Sequence, residues 1–117
     1  MGVFVGIDVS KKQLDVALRP SGERFEVENN DVGIARLMES LQTLKPSLVI
    51  FESTGGYERD AAFGLAAVGL PVLVVNARQI RDFARATGRL AKTDKIDAEV
   101  IARFGEVFQS EVRELLT

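Results

Sequence analysis

Short apolar runs that close on an acid punctuate this chain. Val3-Phe4-Val5-Gly6-Ile7 is continuous, apolar and β-rich, which predicts a strand covered on both faces and ending at Asp8. Leu14, Val16 and Leu18 then alternate with Gln13, Asp15, Ala17 and Arg19. Pro20-Ser21-Gly22-Glu23 supplies a turn, after which Phe25 and Val27 alternate with Arg24, Glu26 and Glu28. The pattern predicts three antiparallel strands in meander order. Asn29-Asn30-Asp31 offers caps for a helix in which Val32, Ala35, Leu37, Met38, Leu41 and Leu44 fall on one face until Lys45-Pro46 stops it.

Ser47-Leu48-Val49-Ile50-Phe51 is a second buried run, and it leads directly into Glu52. Tyr57 to Val68 reads as helix with Gly69 at its C-cap, and Pro71 to Val75 as a third buried strand ending at Asn76. Strands alternating with helices imply parallel pairing through right-handed crossovers. From Ala77 to about Ala86 a further helix carries several arginines, and Thr87-Gly88-Arg89 interrupts it. Thr93 is placed to cap a last helix through Phe108, with an apolar stripe of Ile96, Val100, Ile101, Phe104 and Val107 or Phe108. Ser110 to Thr117 reads as the start of another helix. The expected organisation is one α/β domain over residues 1–108, with 109–117 beginning a linker helix, and the abrupt end suggests a domain cut from a longer protein.

Composition narrows the chemistry. At 117 residues and 46% hydrophobic content the chain is long enough for one real core. It has no window long enough to cross a bilayer and no signal-type start, so a cytoplasmic protein is expected. Without cysteine or histidine there is no disulfide framework, no thiolate or imidazole zinc site and no histidine base. Any metal must sit among oxygens.

Asp8 and Glu52 both fall at the carboxyl ends of buried strands, where open α/β sheets place their ligands. Asp94 and Asp97 stand three apart at a helix start and so share a face. Each acid taken alone has a plainer explanation as a cap or as a favourable charge near a helix N-terminus. Brought together, they would repel by about 4 kcal/mol per close pair at an effective dielectric near 20, so the cluster calls for divalent cations. Oxygen-only donors select magnesium or manganese, and two such ions about 3.5–4 Å apart suit phosphoryl transfer. The formal charge of -2 does not speak against a phosphate-bearing partner: taking four metal-bound negative charges out of it leaves +2 on the rest of the chain.

Three blocks carry a resemblance: Gly6-Ile7-Asp8-Val9-Ser10-Lys11, Glu52-Ser53-Thr54-Gly55-Gly56-Tyr57, and Ala91-Lys92-Thr93-Asp94-Lys95-Ile96-Asp97-Ala98. In this order they resemble the N-terminal domain of the DEDD transposases, insertion-sequence enzymes whose family includes the pilin-gene invertase. The resemblance runs through about residue 108. It implies a ribonuclease-H-like fold of the Holliday-junction-resolvase (RuvC) type, a five-stranded mixed sheet with three antiparallel and then parallel strands, flanked by helices. It implies an acidic tetrad at Asp8, Glu52, Asp94 and Asp97 that binds Mg2+ or Mn2+ and acts on DNA. It further implies a homo-oligomer in the full-length protein, a structured guide RNA in some members, and a separate C-terminal domain bearing a nucleophilic serine. Because that domain is missing from this chain, stand-alone recombination is not expected of it.

Supporting residues follow. Arg78, Arg81, Arg85 and Arg89 recur at spacings of three and four, and Lys92 and Lys95 continue toward the acidic pair. As a wet helix face they need no function; beside a metal site they would hold a phosphate backbone. Ser53, Thr54 and Gly55 follow Glu52 into a helix start where backbone N–H groups can meet a phosphate, and Lys11 lies next to Asp8. Tyr57 is expected to pack. Two other functions compete. A Gly-Ile-Asp strand followed by a hairpin also opens the actin-like ATPases and sugar kinases, but Val9-Ser10-Lys11-Lys12 is bulky for their phosphate loop. The domain could also be a non-catalytic module for assembly and nucleic-acid docking.

Overall fold

The computed structural model describes residues 2–88 and 96–116, with side-chain surroundings as far as residue 109. Five strands, β1 (Phe4–Val9), β2 (Gln13–Arg19), β3 (Arg24–Glu28), β4 (Leu48–Glu52) and β5 (Val72–Val75), form one sheet in the order β3-β2-β1-β4-β5. β1, β2 and β3 pair antiparallel, whereas β1 with β4 and β4 with β5 pair parallel. The helices are α1 (Asp31–Leu44), α2 (Arg59–Ala67), α3 (Ala77–Ala86) and α4 (Ala98–Leu116).

Side chains on a strand alternate between faces, so the sheet has two different surfaces. One is apolar throughout. Val5, Ile7, Val9, Leu14, Val16, Leu18, Val49 and Phe51 are buried there against Ile34, Leu37 and Leu41 of α1 and Ala61 and Leu65 of α2. The opposite surface is split. Toward β4 and β5, Ile50 and Val75 pack with Ile80 and Ala84 of α3 and Ile101 of α4. Toward the other end of the strands, the same alternation turns Asp8, Asp15, Glu26 and Glu52 to this side.

Helix starts follow local chemistry. Asn30 caps α1 by accepting from the Gly33 N–H at 2.8 Å, and Asn76 caps α3 by accepting from the Arg78 N–H at 2.7 Å. α1 closes on Lys45 in the left-handed region, with φ 53°. Glycine matters most at Gly6, where α4 crosses β1: a Cβ there would lie 2.2 Å from the Ala98 carbonyl oxygen and 2.3 Å from the Ala102 amide nitrogen. Only hydrogen in that position lets the helix sit on the strand.

Four expectations need correction. β1 runs one residue past Asp8, to Val9, so Asp8 lies inside the strand. The last helix does not begin at Thr93, which itself lies outside the described residues. It begins at Ala98, because Asp97 breaks the backbone pattern and caps it: Asp97 Oδ1 accepts from the Val100 N–H at 3.0 Å. Nor does a new helix start at Ser110, since α4 continues unbroken to Leu116. The helix after Glu52 opens at Arg59, two residues later than Tyr57.

Candidate metal and nucleic-acid site

The register builds the site. β1 and β4 pair Ile7 with Phe51, so the next step brings Asp8 abreast of Glu52. On the other side Asp8 pairs with Asp15, and Asp15 with Glu26. The result is a line of four carboxylates, Glu52, Asp8, Asp15 and Glu26, crossing the sheet on one face, with neighbouring strands about 4.8 Å apart. Gln13, two residues from Asp15 and so on the same face, donates through Nε2 to Asp15 Oδ1 at 2.6 Å and to Glu26 Oε2 at 2.7 Å. Its amide relieves part of the repulsion at the outer end of the line.

α4 brings the remaining described acid. Its first turn lies on β1 at Gly6, and Asp97, immediately before it, lines a cleft of about 350 Å³ together with Asp8, Asp15, Glu26 and Arg24. Asp97 also serves the fold as the α4 cap, and its second oxygen, Oδ2, lies 3.5 Å from Arg24 Nη2. The same Arg24 nitrogen lies 3.1 Å from Glu99 Oε2. Asp94, Arg89, Lys92 and Lys95 lie outside the described residues.

Electrostatics mark Glu52 as the strained member. Partial burial, reinforced by the negative charge of Asp8, raises its pKa above the usual carboxylate value, and the positive charge of Arg81 pulls it part of the way back. The donor set fits a hard divalent cation: the acids offer only oxygen, Asp8 raises the cost of ionising its neighbour Glu52, and Asp8, Asp15, Glu26 and Asp97 line one open cleft. Among the described residues, however, no group of three acids is gathered tightly enough to hold an ion as it stands. Asp97 faces Arg24 instead.

The loop after Glu52 is organised from within. Glu58 is buried, and its Oε1 accepts from the Thr54 N–H and hydroxyl, both at 2.9 Å, and from the Gly56 N–H at 3.2 Å. Burial alone would raise the Glu58 pKa, but these hydrogen bonds outweigh it and hold the group below its usual value. Gly55 and Gly56, at φ 77° and 128°, permit the turn. The Ser53 N–H donates to the Val75 carbonyl at 2.9 Å. Two of the three backbone donors expected to meet a phosphate, at Ser53 and Thr54, are thus engaged within the chain. Tyr57 does not pack as expected, since half of its surface is exposed (50%). Its carbonyl accepts from Asn29 Nδ2 at 3.0 Å, and the same amide donates to the Ser10 carbonyl at 2.9 Å. Asn29 therefore ties the loop beyond Asp8 to the loop beyond Glu52.

Of the expected basic residues, Arg78, Arg85 and Lys11 are exposed and Arg81 is half-buried beside Glu52. Sequence reasoning missed Asp15, Glu26, Arg24 and Asn29. The first two were visible as the polar half of two alternating strands, but only the hairpin register joins them to Asp8.

Comparison with known proteins agrees with this architecture. The model of the DEDD transposase family (IS110 type), described as transposase, matches residues 5–115. The chain belongs to that family. A curated member-like relative, the pilin gene-inverting protein of Moraxella lacunata, is 29% identical over 108 residues, covering 87% of this chain and 34% of its own length. The Moraxella bovis protein of the same name matches to the same extent. The chain therefore spans about a third of the length of these relatives. Among solved structures, Thermus thermophilus RuvC, described in complex with a Holliday junction substrate, superposes with a TM-score of 0.61 at 16% identity, over 86% of this chain and 90% of that one. The fold of this transposase-family domain is thus RuvC-like and ribonuclease-H-like. Family membership also sets aside the actin-like reading. No described helix is long and apolar enough to cross a membrane.

Proposed function

We propose that this domain acts on DNA phosphodiesters as the metal-binding catalytic part of a transposase or site-specific recombinase, with Asp8, Glu52, Asp94 and Asp97 as the ligands of Mg2+ or Mn2+, as two ions. The observation that carries the reading is the convergence of Asp8 with Glu52 through the sheet register and with Asp97 through the shared cleft. Bound ions would supply an activated oxygen nucleophile and charge neutralisation at the phosphate. The chain's own part is to hold the acids on a rigid sheet, with α4 fixed over Gly6.

DNA is the proposed partner, which is also what the RuvC neighbour is described as binding. Arg78, Arg81, Arg85, Arg89, Lys92, Lys95 and Lys11 would contact its backbone, as would the loop of Ser53, Thr54 and Gly55 that follows Glu52. A homo-oligomer of the longer protein, a structured guide RNA and a cytoplasmic setting belong to the same proposal. Manganese titration of the domain, followed by calorimetry, tests it. Saturable binding that Asp8→Asn and Glu52→Gln each abolish is expected. Manganese binding indifferent to both substitutions would overturn the metal reading, and nucleic-acid binding without any metal binding would favour a docking module.

A further inference from the structure

Arg24 occupies an unusual place. It stands on β3, two strands away from Asp8, and alternation with its partner Ala17 turns it to the α4 face. From there its Nη2 reaches Asp97 Oδ2 at 3.5 Å and Glu99 Oε2 at 3.1 Å, across the mouth of the cleft that Asp8 shares. The other Asp97 oxygen is held by the Val100 N–H. Asp97 Oδ1 thus serves the helix cap, while Oδ2 lies beside a guanidinium in the cleft that Asp8 also lines.

We propose that Arg24 is a positioning residue that acts on the metal site through Asp97, serving as the built-in counter-ion that a divalent cation must displace. The inference rests on the metal reading given above. The Arg24 guanidinium is a positive charge 3.5 Å from Asp97 Oδ2 and opposes a second cation at that oxygen, so filling the site weakens this pair. Glu99 retains the released arginine at the rim, since its own contact is the shorter one. Arg24 thereby offsets part of the negative charge of the cleft before a cation binds and sets the threshold of cation concentration at which the site fills.

The test is manganese affinity, measured by calorimetry on the chain and on Arg24→Gln, with Lys45→Gln as a control. Lys45 carries the same charge but follows α1 at the opposite end of the strands from Glu52. Loss of Arg24 should tighten manganese binding roughly two- to fivefold, the range expected for removing an exposed competing ion pair. Lys45→Gln should leave it unchanged. Arg24→Lys, which keeps the charge but loses the planar fork, should fall between wild type and Arg24→Gln and guards against a folding defect in one variant. Unchanged or weakened binding in Arg24→Gln overturns the inference while leaving the metal reading intact. A wild-type chain that binds no manganese overturns both. Equal tightening by Lys45→Gln also overturns it, by reducing the effect to net charge.

Discussion

Gly6 on β1 and Ala102 on α4 are so close that a Cβ on the glycine would come within 2.3 Å of the alanine amide nitrogen. Both atoms that would meet it first belong to backbone, so no side chain can swing aside. Gly6→Ala must therefore push α4 off the sheet. The expected cost is about 1–3 kcal/mol, or more, as for other overpacked cores. A lower urea midpoint at unchanged m-value is the predicted measurement. Because Asp97 rides on the start of α4, the same substitution should also weaken manganese binding even where the protein stays folded.

The raised pKa of Glu52 gives a pH prediction in metal-free buffer. An acid whose folded pKa lies above its unfolded one binds more protons in the folded state through the interval between them. Stability contributed by Glu52 is then lost as pH rises from about 4.5, the ordinary value, through the raised folded pKa. Glu52→Gln removes this loss. In chelator the variant should be more stable than wild type at neutral pH, with the two converging in acid. Parallel stability curves across the range would contradict the assigned strain.

Glu58 carries the opposite sign. Its folded pKa is depressed, so its contribution is present above about 4.5 and disappears as pH falls through the lower folded value. Glu58→Ala leaves the Thr54 and Gly56 N–H groups without their carboxylate. A loss of about 1.5–3 kcal/mol at neutral pH is expected, the usual range for hydrogen bonds to a charged group. Denaturant unfolding at neutral pH and again well below pH 4 should show the gap narrowing.

Asn29 makes a more local prediction. Asn29→Ala removes two amide donors that join the Ser10 and Tyr57 carbonyls, worth about 1–3 kcal/mol together at the usual value per bond. Hydrogen exchange should quicken in both loops, around Ser10 and around Tyr57, while the α1 amides stay protected. Quickening in one loop alone would mean that Asn29 does not tie them together.

Asp8 and Glu52 were legible in the sequence because buried runs such as Val3 to Ile7 and Leu48 to Phe51 announce central strands, and the residue that ends such a run inherits a sheet edge. Asp15 and Glu26 were not. In an alternating strand an acid is the ordinary solvent-side residue, and which acid it faces depends on the hairpin register. The start of α4 was misplaced because Thr93 and Asp97 are both good caps, and helical periodicity extends through Ile96 on either choice. What decides between them is the Asp97 contact with Val100, a three-dimensional fact. Arg24 was hidden for a related reason: nothing local in a short polar strand indicates that its side chain spans two strands to meet a helix.

The unbroken course of α4 has a mechanical side. Nineteen residues of α-helix make a rod of about 28 Å at the usual rise per residue. One end fixes the orientation of Asp97 over the acids, and the middle carries the partly uncovered ring of Phe108 stacked on Phe104. The first half of the helix is held to the sheet at two close approaches, Gly6 beneath Ala98 and Ala102 and Ile50 beneath Gly105, so a tilt of the rod about them is carried to Asp97 at its start.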